Sequence, residues 1–318
     1  MTALIIPGAN PAVTPAQYHA DALPPEPSLS NTLMGAMLRS PRHAWTQHPR
    51  LNPAWKPRTS DAFDVGHATH AVVLGKGAGA VEVDAPDWRG KDARAERDAI
   101  RAAGGIPLLP EQFAAVELMA ASVRNILWET GRALAEVFED KARNEIPHYA
   151  VLDGVICRAM PDHVGADGWL YDLKTTTDAN PDAVKQSVAS YGYARQAAHY
   201  LAVHAAATGE RAKGMRFVFV EKSPPHEGCV VQLVDDEAAE DDWSRIAREE
   251  CAVARRDWRA CLDAGEWPGY RRAILEVGAP AWLALQSADR LAARPDAPRR
   301  DKPAPATLAK AAALQSPT

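Results

Sequence analysis

The sequence predicts an α/β domain in which a central mixed β-sheet is flanked by helices. Short runs rich in Val, Ile and Leu, such as Val151–Cys157 and Met215–Val220, have the length and composition of buried strands. Longer stretches with apolar residues at helical spacing precede and follow these runs. The apolar content of 47% and the charged content of 24% are typical of a globular protein, and 318 residues are enough to bury a large core.

The N-terminal part is predicted to be an extended arm followed by helices. Residues 1–27 contain six prolines, which restrict the backbone and favour an extended arm. Ser30 is a suitable N-cap for a short helix that ends at Ser40 and Pro41. The next predicted helices span Asp64–Leu74, about Lys91–Ala103 and about Glu111–Phe138.

The second half of the chain is predicted to alternate strands and helices before a flexible tail. In order, the predicted elements are strand Val151–Cys157, turn Gly165–Gly168, strand Trp169–Lys174, a helix at about Asp182–Ala207, paired strands Met215–Val220 and Cys229–Val234, and a helix at about Glu237–Ala264. Residues 292–318 are rich in Ala, Pro, Arg and Lys and are expected to be a flexible tail. Residues 28–291 would then form one domain with a helical N-terminal part.

Two acidic residues and a lysine are predicted to meet on the hairpin around the Gly-containing turn. Asp162 follows Pro161 before the turn, and Asp172 and Lys174 lie on the strand after it. Because side chains alternate along a strand, Asp172 and Lys174 share a face from which Leu173 points away. Two carboxylates can hold Mg²⁺ against a phosphate, and a lysine beside them can orient water or neutralise charge in the transition state. These are the components of a phosphodiester-cleaving site.

Each of these features also has a simpler interpretation. An Asp-x-Lys sequence on a strand is commonly an exposed ion pair, although the preceding Pro161 and Asp162 at hairpin distance favour catalysis. Gln196 and Tyr200 are four residues apart and therefore lie on one face of the following helix. They are candidates for contacting DNA or the lysine, and the alternative is a hydrogen bond on the helix surface.

Together, these motifs resemble those of the PD-(D/E)XK nucleases, and within them the RecE (exodeoxyribonuclease VIII) group of phage recombination exonucleases. The similarity includes Gly66–His70, which resembles the Gly-x-x-x-His helix of this superfamily. It extends over about residues 17–270 and is specific in the order and spacing of its motifs. The other matching segments are Cys157–Asp162, Asp172–Thr176 and Gln196–Tyr200.

The resemblance implies a restriction-endonuclease-like core and a metal-dependent active site. Asp162 and Asp172 would hold one or two Mg²⁺ ions, and His70 would complete the metal shell. Lys174 would position or deprotonate the attacking water. A histidine ligand suits softer metals than Mg²⁺, so Mn²⁺ is expected to substitute for it.

The resemblance also implies residues that contact DNA. Gln196, Tyr200, Arg158 and Thr175 are expected to do so. The family often has an arginine directly before its Pro-Asp pair, where this chain has Met160. Arg158 lies on the same side of an extended strand as that position and is the candidate replacement.

By the same resemblance, the expected function is exonuclease digestion of linear double-stranded DNA, 5′ to 3′, which leaves 3′ single-stranded overhangs for phage recombination. The expected partners are duplex DNA ends, a RecT-like single-strand annealing protein and further copies of the chain in a homo-oligomer. Three alternatives remain: an endonuclease or single-strand nuclease on the same fold, a catalytically silent DNA-binding module, and a structural phage protein. The intact Asp162, Asp172 and Lys174 disfavour the last two.

Two further candidates are ambiguous from the residues alone. His70 lies in an apolar helical segment, where a histidine is more often a packed core residue than a metal ligand. Glu145 precedes the strand that leads to Asp162, at about the place where the family carries an acidic residue. A solvated surface charge is an equally good interpretation of Glu145.

The overall charge is only mildly informative about DNA. The formal net charge is −5, with 36 Lys and Arg against 41 Asp and Glu, whereas DNA-binding proteins are usually basic. Part of the acidic excess would serve a metal site, and DNA would then need a local basic channel. Each candidate cluster for such a channel could equally be a solvated helix face. The clusters are Arg211, Lys213 and Arg216; Arg255, Arg256 and Arg259; and Arg271 and Arg272.

The cysteines and the hydropathy pattern indicate no metal staple and no membrane segment. The four cysteines show no Cys-x-x-Cys spacing, so zinc ribbons and iron–sulfur clusters are disfavoured. No apolar run reaches membrane-spanning length, and the N-terminus lacks a basic segment followed by an apolar one. We therefore expect a cytoplasmic protein without membrane contact.

Overall fold

The structure, a computed structural model, describes residues 4–56, 61–234 and 242–294. The chain divides into two compact units, Met1–Tyr270 and Arg271–Thr318, so the boundary falls earlier than the expected one after residue 291. The predicted tail lies largely outside the described residues, as does the beginning of the helix predicted from Glu237. Within the described part, no helix combines the length and the apolar character that crossing a membrane requires.

The helices of the described residues include the predicted ones in the predicted order, together with three that were not predicted: the first, the third and the last. In the first unit they are α1 Pro15–His19, α2 Asn31–Arg39, α3 Pro41–Gln47, α4 Asp61–Leu74, α5 Lys91–Ala102, α6 Pro110–Thr130, α7 Pro181–Ser190, α8 Tyr193–Thr208 and α9 Asp242–Ala264. The second unit contains α10, Ala281–Ala292. Ser30 caps α2 as predicted, because its hydroxyl accepts a hydrogen bond from the backbone N–H of Leu33.

Within the described residues, the strands form three sheets. They are β1 Gly8–Ala9, β2 Ala80–Glu82, β3 Ile106–Leu108, β4 His148–Leu152, β5 Val155–Ala159, β6 His163–Val164, β7 Leu170–Thr176, β8 Gly214–Glu221 and β9 Gly228–Val234. The sheet orders are β1-β4-β5, β2-β3 and β6-β7-β8-β9. In the four-stranded sheet β7 and β8 are parallel and the other pairs are antiparallel, which confirms a mixed sheet. The predicted pairing of β8 with β9 is also correct.

The N-terminal segment is folded rather than an extended arm. Strand β1 pairs with β4, and Tyr18 on α1 is buried. The buried Asp21 carboxylate accepts a hydrogen bond from the backbone N–H of Ser28 at 2.9 Å. The Asn10 side-chain amide likewise bonds to nearby backbone groups. Side chains of the segment thus satisfy its polar backbone groups, and its apolar groups pack on the core.

The predicted single strand Val151–Cys157 is instead a hairpin of β4 and β5. The chain reverses at Asp153 and Gly154, which both have positive φ angles, +51° and +72°. An Asp-Gly pair readily adopts this conformation and is a signal for a hairpin, which the prediction of a single strand overlooked. The strand leading to Asp162 is therefore β5, not the whole apolar run.

The predicted helix from Asp182 to Ala207 is interrupted. Gly192 separates α7 from α8 and has a φ angle of +68°. A Cβ atom there would lie 2.4 Å from a guanidinium nitrogen of Arg195, so the turn depends on glycine. Likewise, α6 ends at Thr130 before Gly131, short of the predicted end at Phe138.

The four-stranded sheet is packed between two helical layers, and this arrangement positions the site. On one face, Leu173 of β7 belongs to an apolar cluster with α4 and α6. On the other face, Phe217 and Phe219 of β8 pack against α7 and α8. Because side chains alternate along β7, the residues flanking Leu173 face the α8 side.

Candidate active site

Asp162 lies where α4, β7 and the segment after β5 meet. Its Oδ2 accepts a hydrogen bond from the backbone N–H of Leu173 at 2.6 Å. The same oxygen lies 3.3 Å from Nδ1 of His70 on α4. The Asp162 side chain is 13% exposed, so it is shielded yet reachable from solvent.

Asp172 and Lys174 occupy the same face of β7, as the strand alternation predicted. The Lys174 ammonium forms an ion pair with Oδ2 of Asp172. The side-chain amide of Gln196 on α8 donates to the other oxygen, Oδ1, at 2.5 Å. Asp172 is therefore held from two sides in a nearly buried position.

The charges of this cluster shift the pKa values of its members in opposite directions. Burial would raise the pKa of Asp162, but the nearby His70 and Lys174 and the Leu173 N–H lower it. Burial raises the pKa of Asp172, and the Asp162 charge adds to this against the effect of Lys174. For His70 and Lys174, the neighbouring carboxylates overcome burial and raise the pKa. Two carboxylates that share a buried site thus lie beside an ammonium group and an imidazole, and they favour the protonated form of each.

His70 faces the acidic cluster rather than the apolar core. Its side chain is 28% exposed and is paired with Asp162. One turn earlier, a Cβ added to Gly66 would lie 3.4 Å from Oγ1 of Thr175, so glycine allows close approach of α4 to β7. The predicted DNA contact Thr175 therefore faces α4, on the side of β7 opposite Lys174.

Glu145 joins the cluster and is a site residue that sequence reasoning left undecided. Its backbone N–H donates to the carbonyl oxygen of Asp162 at 3.0 Å. Burial, together with the Asp162 charge, raises the pKa of its carboxyl group, and His70 opposes this shift. Its Oε2 atom has no hydrogen-bond partner among the described residues. The structure thus favours a functional carboxylate over a solvated charge.

Asn144 fixes the position of this carboxylate, and sequence analysis did not identify it. Its buried amide donates to the carbonyl oxygens of Leu74, at 2.9 Å, and Phe138, at 3.0 Å. Its carbonyl oxygen lies 2.6 Å from Nδ1 of His163. Asn144, which precedes Glu145, thereby connects the end of α4 with His163, which follows Asp162.

The donor set fits a hard divalent cation. Asp162, Asp172 and Glu145 offer carboxylate oxygens, and His70 offers an imidazole nitrogen. The Glu145 oxygen without a hydrogen-bond partner is chemically suited to a metal ligand. Among the residues that the structure describes, no three His, Cys, Asp or Glu side chains are already gathered as a metal shell. Instead, Lys174 and His70 contact the oxygens of Asp172 and Asp162.

The remaining predicted DNA contacts have protein partners. Gln196 binds Asp172, and Tyr200 shares a hydrogen bond with Gln196. Arg158 is buried, forms an ion pair with Asp21, and lies 5.3 Å from the ring centroid of Tyr18. Because this guanidinium is committed to a buried carboxylate, the structure does not favour Arg158 as the replacement phosphate contact.

The candidate basic clusters are also largely engaged. Arg216 pairs with Asp167 at 2.9 Å and lies over the ring of Trp169. Arg255 pairs with Asp153, and Arg259 pairs with Glu26 and Asp263. These contacts favour a structural role for the three arginines.

A cavity of about 680 Å³ lies away from the acidic cluster, between α8, β9 and α9. Its lining includes Ala194, Ala198 and Leu201 on the side of α8 that does not carry Gln196. None of the residues of the acidic cluster lines it. This cavity and the acidic cluster are therefore separate features of the structure.

Comparison with known proteins identifies the family and the fold of the chain. Residues 30–272 match the family model of a PDDEXK-like domain of unknown function, DUF3799. No curated protein matches the chain. A crystal structure named "Putative exonuclease", from Eubacterium rectale, is similar with a TM-score of 0.52 and 14% identity over 85% of this chain and 96% of the other.

A second similar structure is the alkaline exonuclease LHK-Exo from Laribacter hongkongensis. It aligns with a TM-score of 0.24 and 12% identity over 65% of this chain and 98% of the other. The family match covers most of the chain and confirms the PD-(D/E)XK resemblance. The chain therefore belongs to the PDDEXK-like family DUF3799.

Proposed function

We propose that this protein is a metal-dependent exodeoxyribonuclease that hydrolyses phosphodiester bonds at the ends of linear double-stranded DNA. The observation that carries the proposal is the meeting of Asp162, Asp172 and Lys174 in one shielded cluster with His70. Membership of a PDDEXK-like family supports the same chemistry. A nuclease needs carboxylates, a cation and access to solvent in one place, and the cluster has all three.

Asp162, Asp172, His70 and Glu145 are the residues that would hold the metal, which we propose is Mg²⁺, with Mn²⁺ able to substitute. When bound, the metal supplies Lewis-acid stabilisation of the negative charge that develops on the phosphate. The oxygens of Asp162 and Asp172 are held by Leu173 and Gln196, so their orientation is set before substrate arrives.

The chain's own residues perform the rest of the chemistry. Lys174 is a fixed positive charge beside the carboxylates, placed to orient the attacking water and to neutralise charge in the transition state. Gln196 keeps Asp172 in position through its amide, and Tyr200 supports Gln196. In our proposal, Gln196 and Tyr200 border the path of the DNA strand on the α8 side of β7, and Thr175 borders it on the α4 side.

Action at duplex ends is the finer part of the proposal. It is supported by the resemblance of the motifs to phage recombination exonucleases and by the name "Putative exonuclease" of one similar structure. We propose digestion from 5′ to 3′, leaving 3′ overhangs for a RecT-like annealing protein. A homo-oligomer would supply the channel that admits only an end.

The test is a gel assay of purified protein with end-labelled linear duplex and covalently closed circular duplex, each with and without Mg²⁺. We expect the linear duplex to be degraded only with the metal, and the closed circle to survive. Rapid cutting of the closed circle would favour an endonuclease, and preferred cutting of a single strand would favour a single-strand nuclease. Binding without hydrolysis in Mg²⁺ or Mn²⁺ would favour a silent DNA-binding module.

A further inference from the structure

A row of aromatic rings leads from Lys174 to the protein surface. The Lys174 ammonium lies 5.0 Å from the ring centroid of Tyr193, which stacks on Phe217 with a centroid distance of 5.4 Å. The ring centroid of Tyr193 also lies 5.8 Å from that of Tyr191, with 33° between the ring planes. Tyr191 is 68% exposed. An exposed aromatic ring is thus joined to the catalytic lysine by one intervening ring.

The backbone presents Tyr191 in a fixed place. Its N–H donates to the carbonyl oxygen of Ser187 at 2.9 Å and closes the end of α7. The following Gly192 turns the chain directly into α8. Arg195, which lies against this turn, is held by Asn31 at 3.3 Å and Glu250 at 3.2 Å. A ring on such a rigid corner loses little conformational entropy when a ligand stacks on it.

A cavity of about 230 Å³ opens beside Tyr191. It begins at the end of β7, two residues after Lys174, and its polar groups are hydroxyls and a side-chain amide that both donate and accept hydrogen bonds. Those side chains are Thr176, Thr177, Gln186, Ser187 and Ser190. The lining also includes the acidic Asp178 and, in the part of the chain that the structure describes, neither lysine nor arginine. Such a lining disfavours a phosphate and suits the uncharged edge of a nucleobase.

We propose that Tyr191 is a stacking platform for an unpaired nucleobase close to the scissile phosphate, and that the adjoining polar cavity receives the edge of that base. Every base has a flat π-face, so stacking on Tyr191 tolerates any sequence, as a nuclease without sequence preference requires. The site would hold a base that has left the duplex stack. This inference rests on the proposed function, because it takes DNA as the substrate.

In the kinetic test, a single abasic residue is placed at successive positions of the hydrolysed strand of a linear duplex. The KM for each substrate is measured with wild type, Tyr191→Leu and Tyr191→Phe. Stacking on an aromatic side chain is worth about 1–3 kcal/mol per base, so a missing base should raise the KM of wild type about tenfold at one position near the end. With intact DNA, Tyr191→Leu should already have a higher KM than wild type, and the abasic residue should raise it no further. Tyr191→Phe keeps the ring and should resemble wild type.

Tyr270→Leu is the matched control, because Tyr270 is 66% exposed and its ring contacts His43. Its KM should keep the abasic-site effect of wild type. A Tyr191→Leu protein that retains the abasic-site effect would overturn the platform. The platform would also be overturned if Tyr191→Leu raised the KM above that of wild type by the same factor on intact and on abasic DNA, since that indicates a role unrelated to a base. Thermal melting of each variant reports whether the fold is preserved.

A second measurement separates this inference from the proposed function. A single-stranded oligonucleotide with 2-aminopurine is titrated with each protein in EDTA, and its fluorescence is followed. Stacking should quench the 2-aminopurine fluorescence when wild type or Tyr191→Phe is added, but not when Tyr191→Leu is added. If wild type hydrolyses no DNA, the proposed function fails and this titration alone decides whether Tyr191 binds a base. If wild type hydrolyses DNA but Tyr191→Leu quenches the fluorescence as much as wild type does, only the stacking platform is rejected.

Discussion

Each residue of the candidate site is oriented by a specific neighbour. The backbone N–H of Leu173 holds Asp162, and the amide of Gln196 holds Asp172. Lys174 lies between the Asp172 carboxylate and the ring of Tyr193, so it has both an ionic and a cation–π partner. Single substitutions can therefore separate ligand loss, charge loss and misplacement.

Asp172→Ala should reduce DNA hydrolysis to background while the protein stays folded. A methyl group cannot replace a carboxylate ligand, and the change also removes the partner of Lys174. The measurement is the initial rate on end-labelled linear duplex, with thermal melting as a check of folding. Asp98→Ala, at an exposed carboxylate on α5, is the control and should remain active. Turnover of Asp172→Ala at the wild-type rate would contradict the site assignment.

Lys174→Ala should lower kcat by roughly 10² or more, as expected for loss of one electrostatic stabiliser of the transition state. Metal binding should persist, because the carboxylates and His70 remain. Single-turnover kinetics at saturating Mg²⁺ and calorimetric titration of the metal measure the two properties separately. A variant that loses metal affinity but keeps its rate at saturating metal would show that the lysine has another role.

His70→Ala should weaken metal binding by about tenfold or more, since a ligand is lost rather than a supporting contact. Excess Mn²⁺ should partly restore activity. Glu145→Gln should have a smaller effect, because the amide keeps one oxygen as a ligand. Calorimetric titration of Mn²⁺ into each protein distinguishes the two variants. If His70→Ala is simply unfolded, His70 acts as a core residue and its assignment as a ligand is wrong.

At the scale of elements, turns decide where the functional side chains lie. The hairpin at Asp153 and Gly154 makes β5 the strand that leads to Asp162. The corner at Gly192 divides one predicted helix into α7 and α8, and this division places Tyr191 and Tyr193 on either side of a glycine. Both turns contain residues in the left-handed region, which glycine adopts without steric cost.

Gly192→Ala should destabilise the protein more than Gly209→Ala. Both glycines have positive φ, +68° and +78°, so alanine costs about 1–2 kcal/mol at either position. Only at Gly192 does the new Cβ also displace Arg195 and its bonds, because nothing lies within 4 Å of a Cβ at Gly209. Urea unfolding measures the two free energies. Equal destabilisation would mean that Arg195 moves aside without penalty.

At the scale of the whole molecule, arginines and carboxylates pair across the chain, and the N-terminal segment takes part in these ion pairs. The net charge is −5, yet Arg216, Arg255 and Arg259 of the predicted basic clusters are each paired with a particular carboxylate. The N-terminal segment contributes Asp21, whose carboxylate pairs with Arg158 and His48 in the interior. Buried histidines elsewhere make the stability of the protein depend on pH, because their protonation would add charge to the interior.

Stability should fall as the pH is lowered from about 6.5 towards 4. Burial lowers the pKa of His148 and of His199 to about 4, although hydrogen bonds to the carbonyl oxygens of Ile146 and Arg158 oppose the shift. Both are neutral in the folded state and have a pKa near 6.5 when unfolded. The unfolded chain therefore binds more protons between these values, and each histidine should cost about 2 kcal/mol of stability at pH 5.

Urea unfolding at pH 7.5, 6 and 5 measures this dependence. His199→Gln cannot be protonated in this range, so its stability should change less with pH than that of wild type. The contribution of each histidine is complete above its unfolded pKa and disappears as the pH approaches the folded value. A free energy of unfolding that is constant between pH 7.5 and pH 5 would contradict the prediction.

The sequence by itself determined the fold class and the residues of the acidic centre. Alternation along a strand is a local rule, so it placed Asp172 and Lys174 on one face of β7. The motif spacing was enough to identify the family that the comparisons confirm. Helical periodicity located α2 and α5 within one residue at each end.

Only the tertiary structure decided which distant groups meet at that centre. Glu145 turns towards Asp162 because its backbone and the buried Asn144 hold it there, and no local pattern encodes that contact. Arg158 is paired with Asp21, a partner far away in sequence. The exposed Tyr191 lies one ring from Lys174 only because α7 and α8 pack on the sheet. Local sequence sets the direction of a side chain along its own element, whereas packing between elements sets which side chains become neighbours.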